Sequence, residues 1–162
     1  MVKYFLFLFC SVLSGSPDYT ELRPDLSGKV ISIVDGDTFK LLIADKQTVK
    51  IRLNGIDAPE KGQDYSRTSK EYLGKLISAR PIRVVDKGKD KYGRIIGDVF
   101  TDQGLLVNLE LVKAGMAWHF VKYSKDPRLA EAETIARQNK SGLWQQAAPV
   151  APWDYRKRKR KP

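Results

Sequence analysis

Three carboxylates and two guanidiniums stand at the ends of short apolar runs in this chain: Asp37, Asp57 and Glu60, with Arg52 and Arg94. Carboxylate oxygens are hard donors that suit Ca²⁺ or Mg²⁺. Two of them completed by a backbone carbonyl and waters suit the larger, more tolerant Ca²⁺. An arginine fork can grip two phosphate oxygens and neutralise the extra charge of a five-coordinate phosphorane. The set as a whole can hold a cation, activate a water and clamp a phosphate. Its spacing is not that of an EF-hand loop, so the site would be open, with room for a substrate. The competing reading makes Asp37 a turn former, Asp57 and Glu60 surface acids, and both arginines solvated or salt-bridged.

Other chemistries are poorly served. One histidine, His119, and one cysteine, Cys10, leave no ordinary structural zinc cluster. There is no glycine-rich phosphate loop, and no serine sits in a recognisable nucleophile turn. His119, between Trp118 and Phe120, reads as a partly exposed aromatic with no role in catalysis.

The acids need strand ends to aim them, and the pattern supplies these. Lys29–Val34 and Thr38–Ala44 are β-branched and apolar, and Asp35-Gly36-Asp37 between them is a hairpin signal with positive φ expected at the turn. Thr48–Leu53 alternates Val49, Ile51 and Leu53 with Lys50 and Arg52, as a half-buried strand does. Asp45-Lys46-Gln47 forms the turn before it. Asp64–Ala79 reads as a helix with Tyr65, Tyr72, Leu73, Leu76 and Ile77 on one face. Pro81–Asp86 and Arg94–Thr101 are two further strands joined by a charged loop. A helix over Leu105–Ala114 stops at Gly115, and another starts at Asp126-Pro127 with aspartate as cap, carrying Leu129, Ala132, Ile135 and Ala136 inward. Leu143-Trp144 docks back on the body. Five short strands with about three helices predict an α+β, mainly β, fold: a five-stranded OB-fold barrel.

The termini read differently. Met1 to about Ser16 carries Lys3, an apolar run over Tyr4–Leu13 and small residues at Ser14–Ser16, the layout of a secretory signal peptide. An uncleaved anchor or a misplaced start is the alternative. Residues 17–27 form a polar segment, 28–146 the folded domain, and 147–162 a loose linker and basic tail. The formal net charge is +10. Much of that comes from the six consecutive basic residues of Arg156–Lys161. Such a block is expected to be disordered, yet able to hold polyanions by counterion release. A secreted or periplasmic location follows from the leader, with no stable membrane association after its removal, and a monomer is expected.

From about Lys29 to Trp144 the chain resembles the staphylococcal nuclease family, through Asp35-Gly36-Asp37-Thr38, Arg52 through Glu60, Asp90 through Arg94 and Leu143-Trp144. The resemblance implies that Asp37 and Asp57 are calcium ligands, with the backbone carbonyl of Ala58 beside them. It implies that Glu60 activates the attacking water and that Arg52 and Arg94 bind phosphate. Lys91 and Tyr92 match positions that contact the nucleotide's phosphate, and Tyr123 matches a tyrosine lining its pocket. Val121 stands where a second pocket tyrosine is expected, which bears on base stacking rather than on phosphoryl chemistry. The implied activity is Ca²⁺-dependent hydrolysis of DNA and RNA to 3′-phosphate ends. Two other classes stay open: a catalytically silent nucleic-acid-binding barrel, and a polyanion-interaction protein driven by the tail.

Overall fold

The computed structural model describes residues 25–160. The expected signal peptide and most of the polar segment lie outside the described residues. Five strands close into a barrel: β1 (Leu26–Ile33), β2 (Thr38–Leu42), β3 (Thr48–Leu53), β5 (Pro81–Lys89) and β6 (Ile95–Thr101), in the spatial order β1-β2-β3-β6-β5. All neighbours are antiparallel except β3 and β6, which run parallel. Closure leaves this small sheet no free edge. The barrel agrees with the fold class read from the sequence.

Alternation explains the interior. Ile51 and Leu53 of β3, Ile95 and Val99 of β6, Ile82 and Val84 of β5, and Phe39 and Leu41 of β2 are buried in one core, because successive strand side chains face opposite sides. Arg52 therefore emerges on the outer face. It pairs with Ile96, so Arg94, two residues earlier, leaves β6 on that same face.

Helix α1 (Ser66–Ile77) buries Ser69, Leu73 and Ile77. Helices α2 (Val107–Lys113) and α3 (Pro127–Gln138) pack against each other and cover the barrel. The Asp126 side chain accepts from the Arg128 amide at 2.9 Å, and Pro127 begins α3, as the capping pattern predicts. Gly115 takes a φ of 65° just past α2, which glycine alone adopts without strain. Ile135 is a correction: it is 48% exposed, because the inward face of α3 is the narrower one made by Leu129, Ala132 and Ala136.

A two-stranded sheet and a short helix escape sequence reading. Strand β4 (Ile56–Asp57) pairs antiparallel with β7 (Trp118–His119) in a separate two-stranded sheet. His119 is thus buried rather than partly exposed, with Nε2 3.1 Å from the Ser124 carbonyl. The other element is helix α4 (Pro152–Lys159), at a place read as loose linker and disordered tail. Ala151 and Pro152 are buried at its start. Trp153 stacks on Phe120, with ring centroids 5.0 Å apart, and meets Trp118 edge-on at 5.6 Å. These apolar anchors hold the segment down despite the like charges that follow. Among the described residues no helix is long and apolar enough to cross a membrane.

Candidate active site

The turn between β1 and β2 carries Asp37, and Gly36 shows how it is seated. Its φ is not positive, so the expected positive-φ hairpin turn does not form. The need for glycine is spatial: a Cβ there would fall 2.7 Å from the Ala58 Cβ and 2.8 Å from the Ser69 Cβ. The turn is thereby pressed against the segment after β4. Asp37 is 6% exposed, and its Oδ2 accepts from the Ala58 amide at 2.6 Å. Thr38 donates to its Oδ1 at 3.1 Å.

Asp57 reaches the same place from β4, where its backbone pairs with Trp118. Asn108 of α2 secures the approach. It donates to the carbonyls of Asn54 (2.9 Å) and Gly97 (3.2 Å) and accepts from the Val99 amide (2.9 Å). A buried side-chain amide with its capacity filled in this way fixes where β3 ends relative to β6.

Arg52 ties these pieces together. Its Nη1 donates to the carbonyls of Leu53 and Ile56, each at 2.8 Å. Its Nη2 lies 2.8 Å from Asp57 Oδ1, and its Nε lies 3.1 Å from Asp37 Oδ1. One guanidinium thus orders the turn and compensates two carboxylates.

A second guanidinium, absent from the sequence-derived site, comes from α4. Arg156 places Nη2 2.8 Å from Asp57 Oδ2 and Nη1 2.5 Å from Glu60 Oε1. The available signal was Trp153 and Tyr155 beside the charge run, two aromatics that a disordered tail has no need of. Glu60 itself is held by its backbone, whose amide donates to Gln63 Oε1 at 2.8 Å, while Gln63 Nε2 donates to the Val150 carbonyl at 3.0 Å. Glu60 and the start of α4 therefore share one hydrogen-bonded chain.

Electrostatics follow from this crowding. Burial pushes the Asp57 carboxyl above its ordinary value, and Arg156 and Arg52 pull it back toward ionisation. Asp35, whose Oδ1 accepts from the Asp37 amide, is pushed up to about 6, first by burial and then by the Asp37 charge. Burial works against the charge on Arg156, but Asp57 and Glu60 hold it above the ordinary arginine range.

No three His, Cys, Asp or Glu side chains among the described residues gather closely enough to hold a metal by themselves. The donor set is smaller: Asp37 and Asp57, with carbonyl and water oxygens to complete it, a set that a hard cation accepts. Arg156 already stands in as a cation against Asp57 and Glu60, so the position attracts positive charge.

Residues 50–146 match the family described as Staphylococcal nuclease homologue. The chain belongs to the staphylococcal nuclease family. It is 44% identical over 138 residues to an uncharacterized endonuclease of Escherichia coli, covering 85% of this chain and 90% of that one. It is 39% identical over 132 residues to an uncharacterized endonuclease of Haemophilus influenzae, covering 82% and 74%. With a micrococcal nuclease of Shigella flexneri it shares 36% identity over 143 residues, 82% of each.

Among the described residues, the others that the staphylococcal nuclease resemblance singles out make no hydrogen bond or ion pair with Asp37, Asp57 or Glu60. Arg94 shares the outer face with Arg52, but its Nε bonds Asp90 Oδ2 at 2.7 Å and its guanidinium lies 5.7 Å from the centre of the Tyr92 ring. Lys91 and Tyr92 are exposed in the turn between β5 and β6, with Lys91 Nζ 5.1 Å from the Tyr92 ring centre. Tyr123 is 66% exposed and leans edge-on against Phe120 at 4.8 Å.

Proposed function

We propose that the chain is a calcium-dependent nuclease that hydrolyses phosphodiester bonds of DNA, and of RNA, to leave 3′-phosphate ends. The observation that carries this reading is the meeting of Asp37, Asp57 and Arg52 at the end of the barrel, with Glu60 three residues beyond Asp57. Membership of the staphylococcal nuclease family supports the reaction class.

Asp37 and Asp57 are the side chains that would hold Ca²⁺, with the carbonyl of Ala58 beside them. When bound, the ion would polarise the phosphate and lower the pKa of nearby water. Glu60 accepts a proton from the water whose oxygen bonds to phosphorus. The bond from phosphorus to the 5′-oxygen breaks, and that oxygen leaves as a hydroxyl after taking a proton from solvent. Arg52 and Arg94 neutralise the extra charge of the phosphorane, which requires Arg94 to turn from Asp90 to the substrate. Lys91 and Tyr92 bind an adjacent phosphate, and Tyr123 offers an exposed ring to a base. For Glu60 to act as base, Arg156 must leave it. The leader-like sequence of residues 1–16 supports a location outside the cytoplasm, in the periplasm or the medium, as part of this proposal, and a monomer is proposed with it.

The decisive experiment is cleavage of a 5′-labelled single-stranded DNA by the full chain in Ca²⁺ and in EGTA. Products ending in 3′-phosphate only with Ca²⁺ are expected. Tight binding without cleavage in Ca²⁺, Mg²⁺ and Mn²⁺ would replace this reading with that of a silent binding module.

A further inference from the structure

Helix α4 is built onto the site, not merely near it. Its start is buried through Ala151 and Pro152, Trp153 is stacked in an aromatic cluster with Phe120 and Trp118, and Val150 is hydrogen-bonded to the Gln63 that also holds Glu60. Tyr155 lies so close over Gly62 that a Cβ there would be 3.0 Å from its hydroxyl. A cavity of about 270 Å³ beside this contact is lined by Tyr155, Arg158, Gln63 and Trp118. These contacts bring Arg156, and no other residue of the basic run among those described, to Asp57 and Glu60.

Asp57 is 2% exposed and faces two guanidiniums, Arg52 from the barrel and Arg156 from α4. Arg52 is tied to two backbone carbonyls as well and cannot withdraw without opening the turn before β4. Arg156 has no such tie. Among the described residues its charge-assisted bonds run only to Asp57 and Glu60, its side chain is 34% exposed, and it is carried on a surface helix. Of the two cations on Asp57, Arg156 is the removable one.

We propose that Arg156 is an intramolecular counter-cation that competes with the metal for Asp57, and that it masks Glu60 until both cation and nucleic acid arrive. The inference rests on the calcium reading above and names how that site is regulated. A divalent cation takes over Asp57, while nucleic-acid phosphate offers Arg156 an alternative anion that its planar fork fits well. Each therefore makes room for the other, and the coupling is reciprocal. Lys157, Arg158 and Lys159 on the same helix favour a polyanion at this edge, so a strand arriving along α4 would meet Arg156 last.

The test is a calorimetric titration of Ca²⁺ alone into the full chain and into Arg156→Gln, Arg156→Lys and Arg158→Gln, with tryptophan emission followed in parallel. Arg156→Gln is expected to bind Ca²⁺ about tenfold more tightly, the effect of removing one partly desolvated competing charge. Arg156→Lys, which keeps the charge, and Arg158→Gln, which alters only a neighbour, are expected to stay within about threefold of the parent. In the parent, saturating Ca²⁺ should change the tryptophan emission as Arg156 gives up Asp57, and in Arg156→Gln that change should shrink. If the parent binds Ca²⁺ and Arg156→Gln binds it no more tightly, the competition is overturned while the calcium reading stands. If neither binds Ca²⁺, the calcium reading falls and the competition falls with it. A near-ultraviolet circular dichroism spectrum unchanged by Arg156→Gln excludes misfolding as the cause of either result.

Discussion

Arg52 divides its guanidinium among the Leu53 and Ile56 carbonyls and the Asp37 and Asp57 carboxylates, so it is a structural clamp besides its proposed role toward phosphate. Removing it leaves two buried acids short of a partner, and breaking a buried pair from one side costs about 3–5 kcal/mol. Arg52→Ala should lose stability of that order in EGTA, read by urea unfolding. A loss below about 1 kcal/mol would mean that neighbouring groups already compensate Asp37 and Asp57. Glu60 differs, because its backbone is anchored by Gln63 and, among the described residues, its carboxylate bonds only Arg156. Glu60→Gln should therefore keep the fold and Ca²⁺ binding yet lose about 10²–10⁴-fold in turnover on labelled single-stranded DNA, the usual contribution of a positioned base. Undiminished turnover would remove Glu60 from that role. At this scale the residue types and spacing were legible in the sequence, since Asp37, Asp57 and Arg52 do meet. The pairing of Arg94 with Asp90 was not legible, because nothing in a linear motif says which partner a guanidinium takes.

At the scale of elements, the turn carrying Asp37 is set by contact more than by backbone preference. Adding a methyl at Gly36 forces it into Ala58 and Ser69, and overpacking of this kind costs about 1–3 kcal/mol. Gly36→Ala should lower the unfolding midpoint and weaken Ca²⁺ binding together, because the displaced turn takes Asp37 with it. A fall in stability with unchanged Ca²⁺ affinity would separate the two. The start of α3 offers a simpler test. Asp126 accepts from the Arg128 amide, and its carboxyl is held below the usual range first by the Arg128 side chain. A depressed folded-state pKa means that the stabilisation is present above the unfolded value and is lost as pH falls through the lower folded value. Asp126→Ala should cost about 1 kcal/mol at neutral pH. That difference should vanish progressively below the ordinary aspartate value of 3.8, as chemical denaturation at stepped pH would show. Capping, alternation and the strand–turn–strand pattern were readable because each depends on neighbours in sequence. Strands β4 and β7 were not: each is two residues long, and the pairing of Ile56 with His119 exists only once the barrel and α2 have brought them together.

Across the whole molecule the chief correction concerns the C-terminus. A run of like charges argues for disorder because the charges repel and bury nothing, and from Arg156 onward that logic is sound as far as it goes. It fails because the preceding Ala151, Pro152, Trp153 and Tyr155 dock on loops far away in sequence and carry the start of the run with them. The basic character is thus partly an active-site feature and partly a surface one. Replacing Lys157, Arg158, Lys159, Arg160 and Lys161 by glutamine keeps the former and removes the latter. Binding of a long single strand should then lose slope against log salt concentration by up to about 3.5, at roughly 0.7 for each phosphate contact given up. Cleavage of short substrates should persist. An unchanged slope would mean that those residues touch no phosphate.

By itself the sequence determined the class of barrel and the chemical kinds of the site residues. Hydrophobic alternation, turn chemistry and residue type are local properties, carried by a few adjacent positions. The tertiary structure alone decided which anions share which cation. Closure of the barrel, the clamp of Asn108 on Asn54 and Gly97, and the docking of α4 are contacts between distant segments. Their energies depend on distance and burial, quantities that no spacing along the chain contains.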